Sequence, residues 1–233
     1  MIRTGLIVSA IAVALMSGIS IWSSGQLPAE NIPIHWNAEG VADRFADRQE
    51  ALFLVWLIPG ITVFGAFIFA ILPQLEPMRD NLFKSRKAYT AVWVSVMILL
   101  CGIHAGMSYM MIVGSGADMQ SNAFVRWVMA GTGILFVVLG NYLPKTRQNW
   151  FLGIRTPWTL SSEFTWEKTH RLAGRLFMAV GLICLFSAFA LNGIAIVIAV
   201  TGAAVSSALI SIVYSFWVYR TAPDKRVSPD YIV

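Results

Sequence analysis

Apolar residues in this chain run almost unbroken for about twenty positions at a time, rather than alternating or recurring along one helical stripe. Such runs occupy residues 4–22, 51–72, 90–113, 124–143, 173–191 and 194–219. At a rise of about 1.5 Å per residue, each reaches across the roughly 30 Å of a bilayer's hydrocarbon. The pattern therefore predicts six transmembrane helices. The last two runs merge into one stretch about twice the bilayer thickness, but Asn192-Gly193 near its middle is a turn dipeptide, so a tight helical hairpin is expected there. The first run follows Arg3 and resembles a secretory leader only superficially: it is longer than a usual leader core, no A-x-A cleavage pattern follows, and five more spans come after it. It is read as a retained first helix.

Composition agrees. The 233 residues are 57% hydrophobic and only 12% charged, with a mean hydropathy of +0.68, far from ordinary soluble usage. The net charge of +5 would raise nucleic acid as a partner in a soluble protein, but its distribution tells a different story. Residues 23–50 hold Glu30, Glu39, Asp43, Asp47 and Glu50 against Arg44 and Arg48, whereas residues 73–88 hold Arg79, Lys84, Arg86 and Lys87. Residues 114–123 have no Lys or Arg; residues 144–172 have Lys145, Arg147, Arg155, Lys168 and Arg171, and the tail adds Arg220, Lys225 and Arg226. Basic residues thus alternate from loop to loop in register with six spans, which predicts cytoplasmic termini and even-numbered loops. Cys101 and Cys184 lie inside apolar runs and imply no disulfide framework.

Two connections are too polar and too aromatic to be plain linkers. The outer one carries Ile32-Pro-Ile-His-Trp-Asn37, in which Pro33 sets an extended entry, Asn37 and Gly40 supply turn chemistry and Trp36 suits a membrane interface. His35, Asp43 and Asp47 are donors of the kind that bind metals, but their spacing matches no metal motif, and a folded cap with solvated carboxylates is expected. The inner connection interleaves basic residues with Trp150, Phe151 and Trp158, as where a chain lies along anionic headgroups. Ser161 as N-cap and Glu163 in a first turn predict a helix that continues into the fifth span. On it, Glu167 and Arg171 are spaced as an i, i+4 ion pair, and Trp166, His170 and Gly174 share a face.

These residues carry a family resemblance. Asn141-Tyr-Leu-Pro-Lys145, Asn149, then Gly153-Ile-Arg-Thr-Pro-Trp-Thr-Leu-Ser-Ser162, then Trp166, Thr169 and His170, resemble the signature of the SdpI family of bacterial membrane proteins. The outer Pro33, His35, Trp36, Gly40 and Asp43 are similar to the uncharacterised domain that often precedes that signature, although Val41-Ala42 stands where a proline is common before the Asp. The resemblance implies an integral protein of the bacterial inner membrane that acts by binding. The founding member protects against a secreted, membrane-damaging peptide toxin and holds a DNA-binding repressor at the membrane. The signature residues are expected to meet a partner or receive a signal; within them Arg155 and Thr156 offer several donors on a turn stiffened by Pro157, followed by Trp158 and Thr159. The alternative for residues 153–159 is a re-entrant or interfacial loop whose polar groups only satisfy one another.

The expected fold is all-α, with an N-terminal membrane domain over residues 1–115 and an SdpI-like domain over residues 116–233. The expected partners are the lipid bilayer, a secreted peptide toxin and a cytoplasmic repressor, with no direct nucleic acid, no cofactor and no metal. His170, flanked by Glu167 and Arg171, is a candidate switch or a buried interface residue. His104 falls near mid-span and is expected to be neutral and bonded across helices, since no Asp, Glu, Lys or Arg accompanies it near the middle of a span. That lack also counts against the alternatives, a small-solute or lipid transporter and a membrane enzyme, for which G-x-S-x-G and H-E-x-x-H are missing. Gly102 and Gly106 are spaced for close helix packing.

Overall fold

The computed structural model describes residues 1–114, 122–191 and 193–225. In chain order the elements are α1 (Ile2–Gln26), β1 (Ile32–Trp36), β2 (Ala42–Ala46), α2 (Arg48–Leu75), α3 (Arg79–Lys84), α4 (Arg86–Val113), α5 (Asn122–Tyr142), α6 (Pro157–Ser161), α7 (Glu163–Ala190) and α8 (Ile194–Arg220), with a 3-10 turn at Leu143–Lys145. Among the described residues six helices are long and apolar enough to cross a membrane: α1, α2, α4, α5, α7 and α8. Their outward faces carry Phe64, Phe186, Phe189 and Trp127, all largely exposed, which only a hydrocarbon solvent tolerates over so much surface. The chain is a multi-pass membrane protein with an all-helical membrane part.

α1, α2 and α4 pack on one another; α5 packs on α7 and α7 on α8; α4 against α5 joins the two groups. In the first group Trp93 is fully buried, stacked on Phe69 at 5.3 Å and edge-on to Tyr89 at 6.2 Å. Its indole lies over Gly5, where any Cβ would clash, and donates to Ser9 Oγ at 2.9 Å. A hydrogen bond between membrane helices contributes only about 0.6 kcal/mol, so the three-helix ring contact does most of the joining. Lower in the same group His104 Nε2 lies 3.1 Å from the Met16 carbonyl and 3.2 Å from Ser20 Oγ, the cross-helix bonding expected of it.

The glycine contacts fall elsewhere than expected. Gly106 receives the Phe124 ring, but nothing lies within 4 Å of a Cβ at Gly102; it opens on a lipid-facing groove of about 600 Å³ between α4 and α5. The closest helix approach is between α5 and α7. There a Cβ on Gly133 would meet the Gly181 carbonyl at 2.8 Å, and one on Gly140 would meet that of Gly174 at 2.6 Å. Glycines seven apart on both helices let the backbones touch twice.

Among the described residues the outer connection holds the one departure from helix: β1 and β2 form an antiparallel hairpin, with Ile32 opposite Ala46 and Trp36 opposite Ala42. Asn37 Oδ1 accepts from the N–H groups of Glu39 and Val41, and Gly40 sits at φ +76°, so the expected turn residues close a β-turn. The hairpin went unpredicted because each strand is only five residues long and β1 carries a proline at its second position, which weakens a strand reading. Asp47 caps α2 by accepting from Glu50 N–H at 2.9 Å. Gly193 enters α8 at φ +55°; Asn192, most of the third connection and Arg226 lie outside the described residues.

The connections sort onto two faces. Pro33 abuts Gly114, Trp36 meets Phe124 edge-on at 6.0 Å, and Glu39 lies beside Gly193, which puts the first, third and fifth connections together. The second and fourth meet at the other end, through Asn81 to the Gln148 carbonyl at 2.9 Å and Arg147 N–H to Ser85 Oγ at 2.8 Å. Because the basic residues gather on the second face, we expect that face in the cytoplasm. Single cysteines at Glu39, Lys87 and Arg155 check this: an impermeant maleimide should label position 39 in intact cells, and positions 87 and 155 only after lysis.

Candidate functional site

The inner connection has almost no regular structure between the turn at Leu143–Lys145 and α6, yet much of it is buried. Buried backbone without helix or sheet partners has to be satisfied by side chains. The sequence supplies them at short intervals. Asn149, fully buried, accepts from Phe151 N–H and Leu152 N–H at 2.9 and 2.6 Å and donates to the carbonyls of Arg147 and Leu152. Gln148 donates to the Thr159 carbonyl at 2.7 Å. Thr156 and Thr159 form a reciprocal capping box at the start of α6, with Pro157 in the first turn. Thr159 Oγ1 also donates to the Ile154 carbonyl at 2.8 Å, and Thr156 Oγ1 pairs with Ser215 Oγ of α8 at 3.1 Å.

His170 closes the arrangement. It is fully buried on α7 and stacked on Trp166, with centroids 3.9 Å apart and planes 20° apart. Ile154 N–H donates to Nε2 at 2.9 Å, so that nitrogen carries the lone pair; the proton sits on Nδ1, 2.8 Å from the Trp166 carbonyl. Trp166 Nε1 in turn donates to the Thr146 carbonyl at 3.1 Å. Gly153 passes over this pair at φ +121°, where a Cβ would collide with His170 Nε2 and lie 3.2 Å from Trp166. Glycine is required twice over, by dihedral and by space. Trp166, His170 and Gly174 do share one face, with Gly174 against Pro144 and Gly140.

Two local expectations are corrected. The N-cap of α7 is Ser162, which accepts from Thr165 N–H at 3.0 Å; Ser161 ends α6 and bonds back to the Pro157 carbonyl, because Pro157 nucleates a separate turn first. Glu167 pairs with Arg147 at 2.9 Å, as does Glu163 at 3.3 Å, so the acid-to-base pairing fastens the loop to α7 instead of bracing α7 on itself through Arg171.

The remaining signature residues line the same cap. Lys145 donates to Asn141 Oδ1 at 2.9 Å and lies over the Tyr142 ring. Arg155 is exposed and donates to the Trp150 carbonyl at 2.7 Å, while Trp158 packs edge-on against Phe216 at 5.1 Å. Thr169 is buried, its hydroxyl without a partner among the described residues. On the outer hairpin His35 Nδ1 meets Asp43 Oδ1 at 2.6 Å, both side chains accessible. Asp47 does not join them, because its carboxylate is spent on the α2 cap; among the described residues no three metal-type ligands gather.

Several partners of the cap were not anticipated. Glu76, 1% exposed at the end of α2, accepts from Met78 N–H and from Trp150 N–H at 3.0 Å. Asp224, after α8, accepts from Ser162 Oγ at 2.6 Å and Phe164 N–H at 3.0 Å. Slight burial pushes the Asp224 carboxyl up, but the bonds from Ser162, Phe164 and Glu163 outweigh it and hold the group below the usual carboxylate value. The signals were a lone acid ending an apolar run, serines spaced by four at 207, 211 and 215, and an acid beside the basic pair Lys225 and Arg226 of the tail.

Comparison with known proteins places two family regions on this geometry. Residues 145–215 match the SdpI/YfhL protein family and residues 11–63 match a domain of unknown function, DUF1648. The chain is 24% identical over 177 residues to the immunity protein SdpI of Bacillus subtilis (strain 168), covering 76% of this chain and 78% of that protein. No solved structure matches. The chain thus carries an SdpI-type region that comprises most of the inner cap with α7 and the larger part of α8, and a preceding region that comprises the outer hairpin.

The cap yields graded expectations for unfolding in detergent, followed by tryptophan fluorescence. Gly153→Ala should lose about 1–3 kcal/mol through backbone strain alone. His170→Ala should lose a comparable amount by stranding the Ile154 N–H, and Thr156→Ala about 1 kcal/mol as a lost cap. Because the folded carboxyl value of Asp224 is depressed, its contribution is present at neutral pH and lost as pH falls through that value. Wild type and Asp224→Asn should therefore differ at pH 7 and converge in acid.

Proposed function

We propose that this chain is a membrane immunity protein that protects its cell from a secreted, membrane-active peptide toxin and passes the signal to a cytoplasmic repressor protein. The observation that carries the reading is the similarity to the Bacillus subtilis immunity protein over three quarters of both chains, whose SdpI-type region coincides with the most side-chain-determined part of the molecule. The chain acts by binding. The outer hairpin, with His35, Trp36 and Asp43 accessible or half-buried at its surface, is the surface that meets the toxin. The inner cap presents Arg155, Trp150 and Lys145 as the exposed face for a cytoplasmic partner.

A mechanical route joins the two ends. The hairpin rests on the outer ends of α4 and α5, through Gly114 and Phe124, and the inner end of α4 carries Ser85, which holds Arg147 of the cap. A toxin that tilts or shifts α4 would alter that hold. His170 has both ring nitrogens engaged, so it acts as the fastener that gives the segment its shape, and Arg155 is the residue available for recognition.

The test is survival of a sensitive bacterium expressing the chain and challenged with the toxin that the family's founding member resists. Wild type should protect. Trp36→Ala should lower protection at least tenfold; Arg155→Ala should leave membrane levels intact but abolish recruitment of a tagged repressor to the membrane fraction. No protection by wild type at verified expression would overturn the immunity reading. Unchanged recruitment by Arg155→Ala would remove that residue from partner binding.

A further inference from the structure

At the inner end of the α4–α5 seam lies a cleft of about 210 Å³ lined by Lys84, Ser85, Arg86, Lys87, Tyr142 and Lys145. Four cationic side chains converge there from both helix groups: three flank the start of α4 and the fourth follows α5. Nearby in the cap the charge of Arg147 is matched, by Glu163 and Glu167. In the cleft it is not. Among the described residues none of these four cations has a carboxylate within ion-pair distance, and Asp80, one turn before Lys84, pairs with none of them. Arg86 lies over the Phe83 ring and Lys145 over that of Tyr142, contacts that steer the cations without neutralising them.

Two further features make the cleft selective for an anion. It sits at the N-terminus of α4, a 28-residue helix whose N-cap, Ser85, makes no side-chain capping bond; the Ser85 hydroxyl is instead occupied by the Asn81 carbonyl and Arg147 N–H. The positive end of the helix dipole therefore faces the cleft. The volume is below the roughly 300–1,000 Å³ of sites for drug-sized ligands, and suits one small oxyanion with its water. Within a turn of Arg86 the helix becomes apolar and buried, at Ala88 and Tyr89, so the cations sit at the end of a membrane-spanning helix, where headgroups are expected.

We propose that this cleft is a binding site for the phosphate of an anionic phospholipid headgroup, which bridges the two helix groups of the protein at its basic face. Free phosphate shares the recognising chemistry; a lipid adds acyl chains that lie along the seam. The proposal is independent of the immunity reading.

Native mass spectrometry of the full chain in a neutral detergent tests it, with phosphatidylglycerol, phosphatidylcholine and inorganic phosphate as separate probes. Retention of one phosphatidylglycerol in preference to phosphatidylcholine is expected, weakened about fivefold for each of Lys84→Gln, Arg86→Gln, Lys87→Gln and Lys145→Gln. Charge-matched controls, Lys168→Gln and Arg220→Gln made singly, should bind as wild type. Competition by millimolar phosphate would assign recognition to the phosphate group alone, and no competition would assign it to the lipid. Equal retention of both lipids, or unchanged binding in the quadruple variant, overturns the site; should that variant not fold, the single variants carry the decision. Displacement of the lipid by an acidic peptide, with no lipid preference left, would overturn it in favour of a protein partner.

Discussion

Every backbone N–H and C=O near the hydrocarbon must find a partner within the protein, and the bond from Ile154 N–H to His170 Nε2 is where this chain meets that demand at its hardest point. The segment preceding α6 is partly buried and neither helical nor extended in a sheet, so its buried amides need individually placed side chains. His170 accepts one amide, fixes its own tautomer through the Trp166 carbonyl, and by stacking on Trp166 positions the indole that donates to Thr146. Gly153, Asn149, Thr156 and Thr159 follow from the same need. Each satisfies backbone that no regular element could reach.

The cap so formed is bonded to much of the rest of the molecule. Glu76 ties it to the end of α2, Asn81 and Ser85 to the approach of α4, Ser215 to α8 and Asp224 to the tail. Most of these are hydrogen bonds between a side chain and backbone, directional and short in reach, so the cap registers small displacements of the helices that feed it. By contrast the contacts within the membrane are apolar ring packing around Trp93 and glycine-to-carbonyl contacts between α5 and α7, which tolerate sliding better than the hydrogen bonds do. The stiff end of this protein is its basic face.

Much of this was legible in the sequence. Six helices followed from run length alone, and the sorting of loops onto two faces from the placement of Lys and Arg, because hydrocarbon imposes both rules without regard to detail. Asn37, Gly40, Gly153 and the face shared by Trp166 and His170 were readable because turn chemistry and helical spacing are local. The rest depended on distance. The Ser161 expectation slipped by one residue because Pro157 begins its own turn, and Glu167 chose Arg147 over Arg171 because a loop twenty residues back folds onto it. The β-hairpin escaped because its strands are only five residues each and Pro33 interrupts the first. No local rule announces that Glu76 and Trp150, or Thr156 and Ser215, will be neighbours.

Asp224 lies beyond the last span, yet it helps hold the first turn of α7. The residues just after α8 are therefore part of the fold's architecture even though the spans are complete without them. Proteolytic trimming after Arg220, or a bulky fusion that draws the tail aside, would leave all six spans inserted while loosening the entry of α7 beneath Trp166 and His170. Spanning the membrane and completing the cap thus draw on different residues, and the second needs one that lies beyond every span.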